Sequence, residues 1–252
     1  MINETTQTCL LPGEELLDLQ AGGLRLIQKT DGYRFTSDSV LLANFVKNVK
    51  GKRVAELCSG SGVISVLVGY KCRPGFVAAV EIQPEVAEMS RRSIGLNGQS
   101  GVITVFTADA KDCAGVIGSG FDAVIANPPY RKVGSGQTQT DPAKALSRHE
   151  IEINLEQLAA SAAKLLRGKG SFYLVHQSER AAEVFYLMHA AGVEPKEVCF
   201  VRPRASATPN LLLVRGVKGG KAGLKFLPDI VVFDKNGGYT QTIKLLYGES
   251  YE

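Results

Sequence analysis

From residue 53 onward the chain alternates short apolar runs with longer stretches whose apolar positions recur at helical spacing. The runs 54–58, 76–81, 102–106, 121–126 and 171–175 have strand length, while the stretches 63–72, 84–97, 151–166 and 179–191 return apolar side chains every three or four residues. Parallel neighbours need a crossover, so this alternation predicts an α/β fold: a mostly parallel sheet with helices on both faces. Two further runs, 198–201 and 211–215, have no helix between them. They predict antiparallel pairing at the sheet edge and bring the strand count to seven.

The flanking segments read differently. Residues 16–20 and 24–28 alternate around Ala21-Gly22-Gly23, which predicts a hairpin. Thr36-Ser37-Asp38-Ser39 then precedes an apolar run and marks the start of a short helix. Residues 216–223 read as a linker rich in Gly and Lys. Beyond it, 230–233 and 239–246 flank Asp234-Lys235-Asn236-Gly237-Gly238 and predict a second hairpin. The stretch 134–140 has no apolar residue and reads as a loop. The expected organisation is a cap segment over 1–50, a core over 51–217 and a C-terminal hairpin extension over 218–252.

Length and composition narrow the class without altering this picture. At 252 residues the chain suits one large α/β domain with small additions. With 44% hydrophobic and 21% charged residues it can bury a core, which excludes a disordered polar chain. Five scattered cysteines without a C-x-x-C pair argue for free thiols in a reducing compartment and against a zinc site, and no ligand cluster suggests another metal. Residues 1–11 lack a basic start followed by an apolar stretch, and no run reaches membrane-spanning length, so a cytoplasmic protein is expected. Net charge is +4, yet between Lys196 and Lys225 seven basic residues face Glu197 alone, leaving the remainder at −2. Such an excess, including Arg202, Arg204, Lys218 and Lys221, suits a phosphate backbone, and it equally suits an ordinary solvated face.

Candidate chemistry gathers at the carboxyl ends of the expected strands. The first runs into Glu56-Leu57-Cys58-Ser59-Gly60-Ser61-Gly62 just before a helix, where glycine lets the backbone approach a ligand. Glu81 ends the second strand, where a carboxylate can accept from ribose hydroxyls, and Asp109 follows the third, where it can receive an adenine amine. A dinucleotide fingerprint G-x-G-x-x-G would need glycine where Ser65 stands. A ligand without pyrophosphate, such as S-adenosylmethionine, fits this turn better. Glu56 argues the same way, since a carboxylate suits a methionine ammonium and repels phosphate.

After the fourth strand comes Asn127-Pro128-Pro129-Tyr130. An exocyclic or amide NH2 is a poor nucleophile because its lone pair is delocalised. Two acceptors on its hydrogens, the Asn127 side-chain oxygen and the Pro128 carbonyl, would localise that pair. Adjacent prolines fix where the carbonyl points, and Tyr130 can stack on the planar acceptor. His149 and His176 read as structural residues rather than as bases. Arg131 and Lys132 can meet a phosphate or serve as ordinary loop charges.

With these residues the chain resembles the Rossmann-like methyltransferases that use S-adenosylmethionine and carry an N-P-P-Y motif. From Tyr33-Arg34-Phe35-Thr36-Ser37-Asp38 through Asn127-Pro128-Pro129-Tyr130 to Asn236-Gly237-Gly238-Tyr239-Thr240 it is similar to the bacterial valine-tRNA adenine-N6 methyltransferase family; Ala145 to Glu150 (ALSRHE) also resembles it. The resemblance implies methyl transfer to an adenine in tRNA, a seven-stranded sheet and S-adenosylmethionine as cofactor. It implies cofactor contacts from Phe35, Thr36, Asp38, Glu56, Cys58, Gly60, Gly62, Glu81, Ile82, Asp109, Ala110 and Asn127, with Asn127, Pro128, Pro129 and Tyr130 at the acceptor. Cys58 stands where the family's turn usually has its first glycine. Protein glutamine-N5 and RNA guanine-N2 methylation use related logic and remain alternatives, as does a non-catalytic RNA-binding protein with this fold.

Overall fold

The computed structural model describes residues 10–31, 37–129 and 153–247. Strands β1 (Glu14–Asp18) and β2 (Arg25–Lys29) form the antiparallel N-terminal hairpin, and α1 (Ser37–Phe45) follows. The core then runs β3 (Arg53–Leu57), α2 (Val63–Cys72), β4 (Phe76–Glu81), α3 (Pro84–Leu96), β5 (Ile103–Thr107), α4 (Ala114–Ile117) and β6 (Phe121–Ala126). Next come α5 (Leu155–Leu165), β7 (Leu166–Gln177), α6 (Ala181–Ala190), β8 (Val193–Arg202) and β9 (Leu211–Lys218). Two-residue strands β10 (Lys225–Phe226) and β11 (Ile230–Val231) and the helix α7 (Gln241–Leu246) complete the described chain.

The seven long strands lie in the order β8-β9-β7-β6-β3-β4-β5, and β10 and β11 both pair parallel with β8. All neighbours from β7 to β5 are parallel, while β9 runs antiparallel between β7 and β8. The antiparallel pairing expected of the last two runs is present, with β9 threaded one place in from the edge. Central strands such as β4 (FVAAVE) are buried on both faces, as a doubly covered parallel sheet requires.

Side-chain alternation divides the core into two layers. Leu211 and Leu213 join Val40, Leu42, Ile64 and Leu67 beneath α1 and α2, whereas Leu212 and Val214 join Leu158, Leu165, Val184 and Met188 beneath α5 and α6. The N-terminal residues Leu19, Leu24 and Leu26 belong to the first layer, so the hairpin shares the core's packing. Its docking on α3 is polar as well: Ile27 N donates to Ser93 Oγ at 3.0 Å, Asn97 Nδ2 to Arg25 O at 2.7 Å, and Arg92 grips both oxygens of Glu14.

One predicted element takes another form. The C-terminal hairpin is reduced to a turn closed by a single antiparallel bridge, Phe233 to Tyr239, with Asp234 Oδ1 accepting from the N–H groups of Asn236 and Gly238. Residues that the alternation assigned to its second strand form α7 instead. Thr240 caps that helix by accepting from Ile243 N, Ile243 is buried, and Lys71 Nζ donates to the terminal carbonyl of Leu246 at 2.8 Å. Capping at both ends and one buried anchor outweigh a weak β pattern.

Candidate active site

The chain enters the parallel sheet at β3, winds outward through β4 and β5, and returns to place β6 on the other side of β3. Helices leave β3 and β6 in opposite directions, which opens a crevice at the carboxyl ends of these strands. A cleft of about 370 Å³ lies there, within the range of small-ligand sites. Its walls include Glu56, Cys58, Gly60, Glu81, Ile82, Asp109, Ala110, Asn127 and Pro129, so residues spread over some seventy positions meet in one cavity.

The turn after β3 is built from left-handed backbone. Cys58, Gly60 and Gly62 have φ of +58°, +55° and +86°. A Cβ on Gly62 would come within 2.4 Å of Ser90 Oγ, so this glycine serves the packing of the turn on α3 and lies behind the cleft wall. Cys58 occupies a conformation that favours glycine, and burial together with the nearby Glu81 and Glu56 carboxylates pushes its thiol up to about 12, which makes it unreactive.

Two acids at the ends of adjacent strands are held in different ways. Glu81 accepts Gly60 N and Gln83 N at 2.9 Å each, one per oxygen, which fixes the carboxylate and fastens the turn to β4. About two lone-pair positions remain for a ligand. Glu56 is fully buried and accepts from Ser65 Oγ. Burial raises its carboxyl to about 8 against the Ser65 hydrogen bond, so it is a neutral acid at pH 7 until a cation is placed beside it. Without a cation beside it, Glu56 is therefore not the standing negative charge expected from the sequence. Asp109 accepts Lys111 N at 2.9 Å and pairs with Lys111 Nζ at 3.2 Å on the third side.

The acceptor corner comes from elements far apart in sequence. Asn127, half-buried after β6, donates its amide nitrogen to Ser39 Oγ of α1 at 3.0 Å. Committing the nitrogen to Ser39 makes the side-chain oxygen the atom of the amide that can accept. Pro128 is buried behind Asn127, and Pro129 is exposed on the cleft wall. Tyr130, Phe35, Thr36, Arg131, Lys132, His149 and the segments 134–140 and 145–150 lie outside the described residues. Asp38 sits in the first turn of α1 beside this corner and does not line the cavity. His176, buried near the end of β7, accepts Gln177 N through Nδ1, and burial lowers it to about 4, leaving it neutral.

Several contributors escaped the sequence reading. Ser39 stood in the helix-start signature, and the clue to its role is a hydroxyl at an inward position among apolar neighbours. Ser59 Oγ is buried on the cleft wall with no hydrogen-bond partner, an orphan that a polar ligand would satisfy. Lys29, paired with Glu85 at 2.8 Å, brings the N-terminal hairpin to the rim, and Gln28 Nε2 reaches Ser61 Oγ at 3.4 Å. An orphaned hydroxyl, a buried acid awaiting a cation and two further acids along one wall fit a cationic ligand with hydroxyl and amine donors, as S-adenosylmethionine is.

The basic excess is partly spent on structure. Lys218 Nζ donates to Ala163 O and Leu166 O at 2.6 and 2.7 Å, capping α5, and Arg202 pairs with Asp229 at 2.5 Å. Arg204 and Lys221 are exposed.

A sheet with this strand order and a cleft at the β3–β6 crevice define a nucleoside-cofactor methyltransferase fold, and the family model for the methyltransferase small domain matches residues 31–192; the chain belongs to that family. Among curated relatives, a tRNA1(Val) (adenine(37)-N6)-methyltransferase of Aeromonas salmonicida is 27% identical over 210 residues, covering 81% of this chain and 84% of that one. Its counterpart in Shewanella amazonensis is 26% identical over 223 residues, covering 87% and 92%. Among solved structures, a predicted O-methyltransferase from Agrobacterium tumefaciens superposes with a TM-score of 0.64 at 23% identity, covering 85% of this chain and 98% of that one, and supports the fold.

Proposed function

We propose that this protein transfers the methyl group of S-adenosylmethionine to the N6 amine of an adenine in tRNA. The observation that carries the reading is Asn127, held by Ser39 at the mouth of a cleft whose other walls bear Glu56, Glu81 and Asp109. The names of the Aeromonas and Shewanella relatives supply the substrate class.

S-adenosylmethionine, when bound, supplies a sulfonium methyl open to in-line displacement. Glu56 would hold the methionine ammonium, ionising beside it, Glu81 would accept from ribose hydroxyls, Asp109 would accept from the cofactor's adenine amine, and Ser59 Oγ would gain a partner. On the acceptor side Asn127 Oδ1 and the Pro128 carbonyl accept the two N6 hydrogens, turning the nitrogen lone pair out of the ring and toward the methyl. With both substrates in place the N–C bond would form as the C–S bond broke, sulfur keeping the pair. One N6 proton becomes acidic only as this happens and leaves to water, so no strong base is required. Neutral His176 is consistent with that economy.

Cytoplasmic tRNA is the expected partner, met by exposed cations such as Arg204 and Lys221. No helix among the described residues is long and apolar enough to cross a membrane. The test is transfer of labelled methyl from S-adenosylmethionine to unmodified tRNA, followed by nucleoside digestion. N6-methyladenosine is expected. Label found only on a protein glutamine, or on guanine, overturns the reading.

A further inference from the structure

The C-terminal extension carries an aromatic arrangement that the reaction does not use. Phe233 and Tyr239 stack with ring centroids 5.5 Å apart and planes 13° from parallel, and Tyr239 stacks on Tyr247 at 6.0 Å and 16°. Two of these rings are open to water, Phe233 at 36% and Tyr239 at 46%. Rings stacked in register and left exposed form a contiguous apolar patch, the kind of surface that marks an interaction site, rather than scattered single residues.

The local fold presents this column on purpose-built supports. Phe233 and Tyr239 are brought together by the bridge across the Asp234 turn, and Tyr247 is delivered by α7, which packs on α1. Leu246 O, one residue before Tyr247, accepts from Asn44 Nδ2 of α1 at 3.3 Å, and burial, then Tyr239, then the Asp38 carboxylate of the same helix push the Tyr247 phenol upward. The next residue, Ser39, holds Asn127. The inner end of the column therefore rests on the helix whose Ser39 positions the acceptor clamp.

Charge identifies the occupant. From Arg202 to Lys244 there are eight basic residues and two acids. Asp229 is paired with Arg202, and Asp234 is occupied by its own turn. Arg204 follows Pro203, whose carbonyl accepts Phe233 N at 2.9 Å, Lys235 lies in the turn between the first two rings, and Lys244 lies on α7. All three are exposed, and none has an acidic partner among the described residues. Flat π faces interleaved with unpaired cations suit single-stranded nucleic acid, where bases stack and phosphates follow the charge.

We infer that Phe233, Tyr239 and Tyr247 form the platform on which a nucleobase neighbouring the target adenine stacks, with Arg204, Lys235 and Lys244 along the adjoining phosphates. This inference rests on the tRNA reading above. An adenine drawn into the cleft leaves its neighbours unstacked at the mouth, and the column replaces the lost stack there.

The test uses the full chain with unmodified tRNA and with an anticodon stem-loop carrying 2-aminopurine next to the target adenine. Tyr239→Leu and Phe233→Leu are expected to raise KM for tRNA about tenfold, the size of one lost base stack, with kcat and cofactor affinity unchanged. Tyr239→Phe retains the wild-type KM. Binding of the probe by wild-type protein quenches 2-aminopurine emission, and the Leu variants lose the quench while thermal melting confirms that they fold. Methylation of tRNA by wild type with unchanged KM and quench in both Leu variants overturns the platform and leaves the activity standing. Quenching that depends on Tyr239 in a protein that methylates no tRNA supports the platform and overturns the activity. Absence of both overturns both.

Discussion

The two sides of the cleft are built on opposite plans. On the proposed cofactor side, Glu56, Ser59, Gly60 and Glu81 lie at the ends of two adjacent strands and in the turn that follows the first, and main-chain N–H groups such as Gly60 N tie that turn to the Glu81 carboxylate. On the proposed acceptor side, Asn127 is oriented by Ser39, a residue 88 positions earlier on α1. The first side is a local solution to approaching a ligand closely. The second would hold a reacting group only if α1 and the sheet are already packed together. Cofactor binding should thus tolerate damage to the acceptor corner, and transfer should be the more sensitive readout of tertiary packing.

The comparison breaks most sharply at Asn127. Asn127→Ala is expected to lower kcat for tRNA methylation by about 10²–10³-fold while leaving the calorimetric affinity for S-adenosylmethionine within about threefold. Equal losses in both would make Asn127 part of the cofactor wall. Glu81→Ala should do the converse, weakening cofactor binding about 10–100-fold through loss of hydrogen bonds to a charged group, with kcat at saturating cofactor much less affected. Ser39→Ala is expected to cost about tenfold in kcat with cofactor affinity preserved, and Ser39→Thr to restore it; a fall in thermal stability alone, with kcat intact, would reduce Ser39 to a packing role.

Proton linkage sharpens the contrast between the two buried acids. Glu56 is held protonated up to about 8 in the folded protein against 4.5 for an ordinary glutamate. Between these values the native state binds the extra proton, so stability is greatest below the lower value and declines as pH rises, by at most about 1.4 kcal/mol per pH unit. Glu56→Gln should flatten the pH dependence of Tm across that window. Seating a cation beside Glu56 must release the proton, and titration of cofactor at pH 7 in buffers of differing ionisation enthalpy should detect up to one proton released. Proton uptake would contradict the assignment.

The smallest effect is expected at Cys58. Replacing it by glycine removes a side chain from left-handed backbone, and Tm should rise by an amount equivalent to about 1 kcal/mol or less, since the packing of the half-buried side chain is also lost. Differential scanning calorimetry decides the sign, and a fall in Tm would show packing to outweigh backbone strain.

Much of this molecule was legible in order along the chain. The βαβ rhythm needs only hydrophobic periodicity, and the strand-end positions of Glu56, Glu81, Asp109 and Asn127 follow from it because a parallel sheet gathers the carboxyl ends of its strands on one edge. The proline pair announced itself through backbone restriction. Less local matters were not legible. The pattern over 239–246 reads as a strand by alternation, yet the Thr240 cap, the Lys71 contact and the burial of Ile243 make 241–246 a helix. Lys218 and Arg202 counted toward a basic surface, and their partners on α5 and at Asp229 lay too far off in sequence to be anticipated.

Sequence alone thus determined which chemical groups end the strands, since a two-residue alternation and a glycine turn are properties of neighbouring residues. Tertiary structure decided the protonation of Glu56, the orientation of Asn127 and the stacking of Phe233, Tyr239 and Tyr247. Each depends on desolvation or on contacts between elements distant along the chain, and no local pattern carries that information.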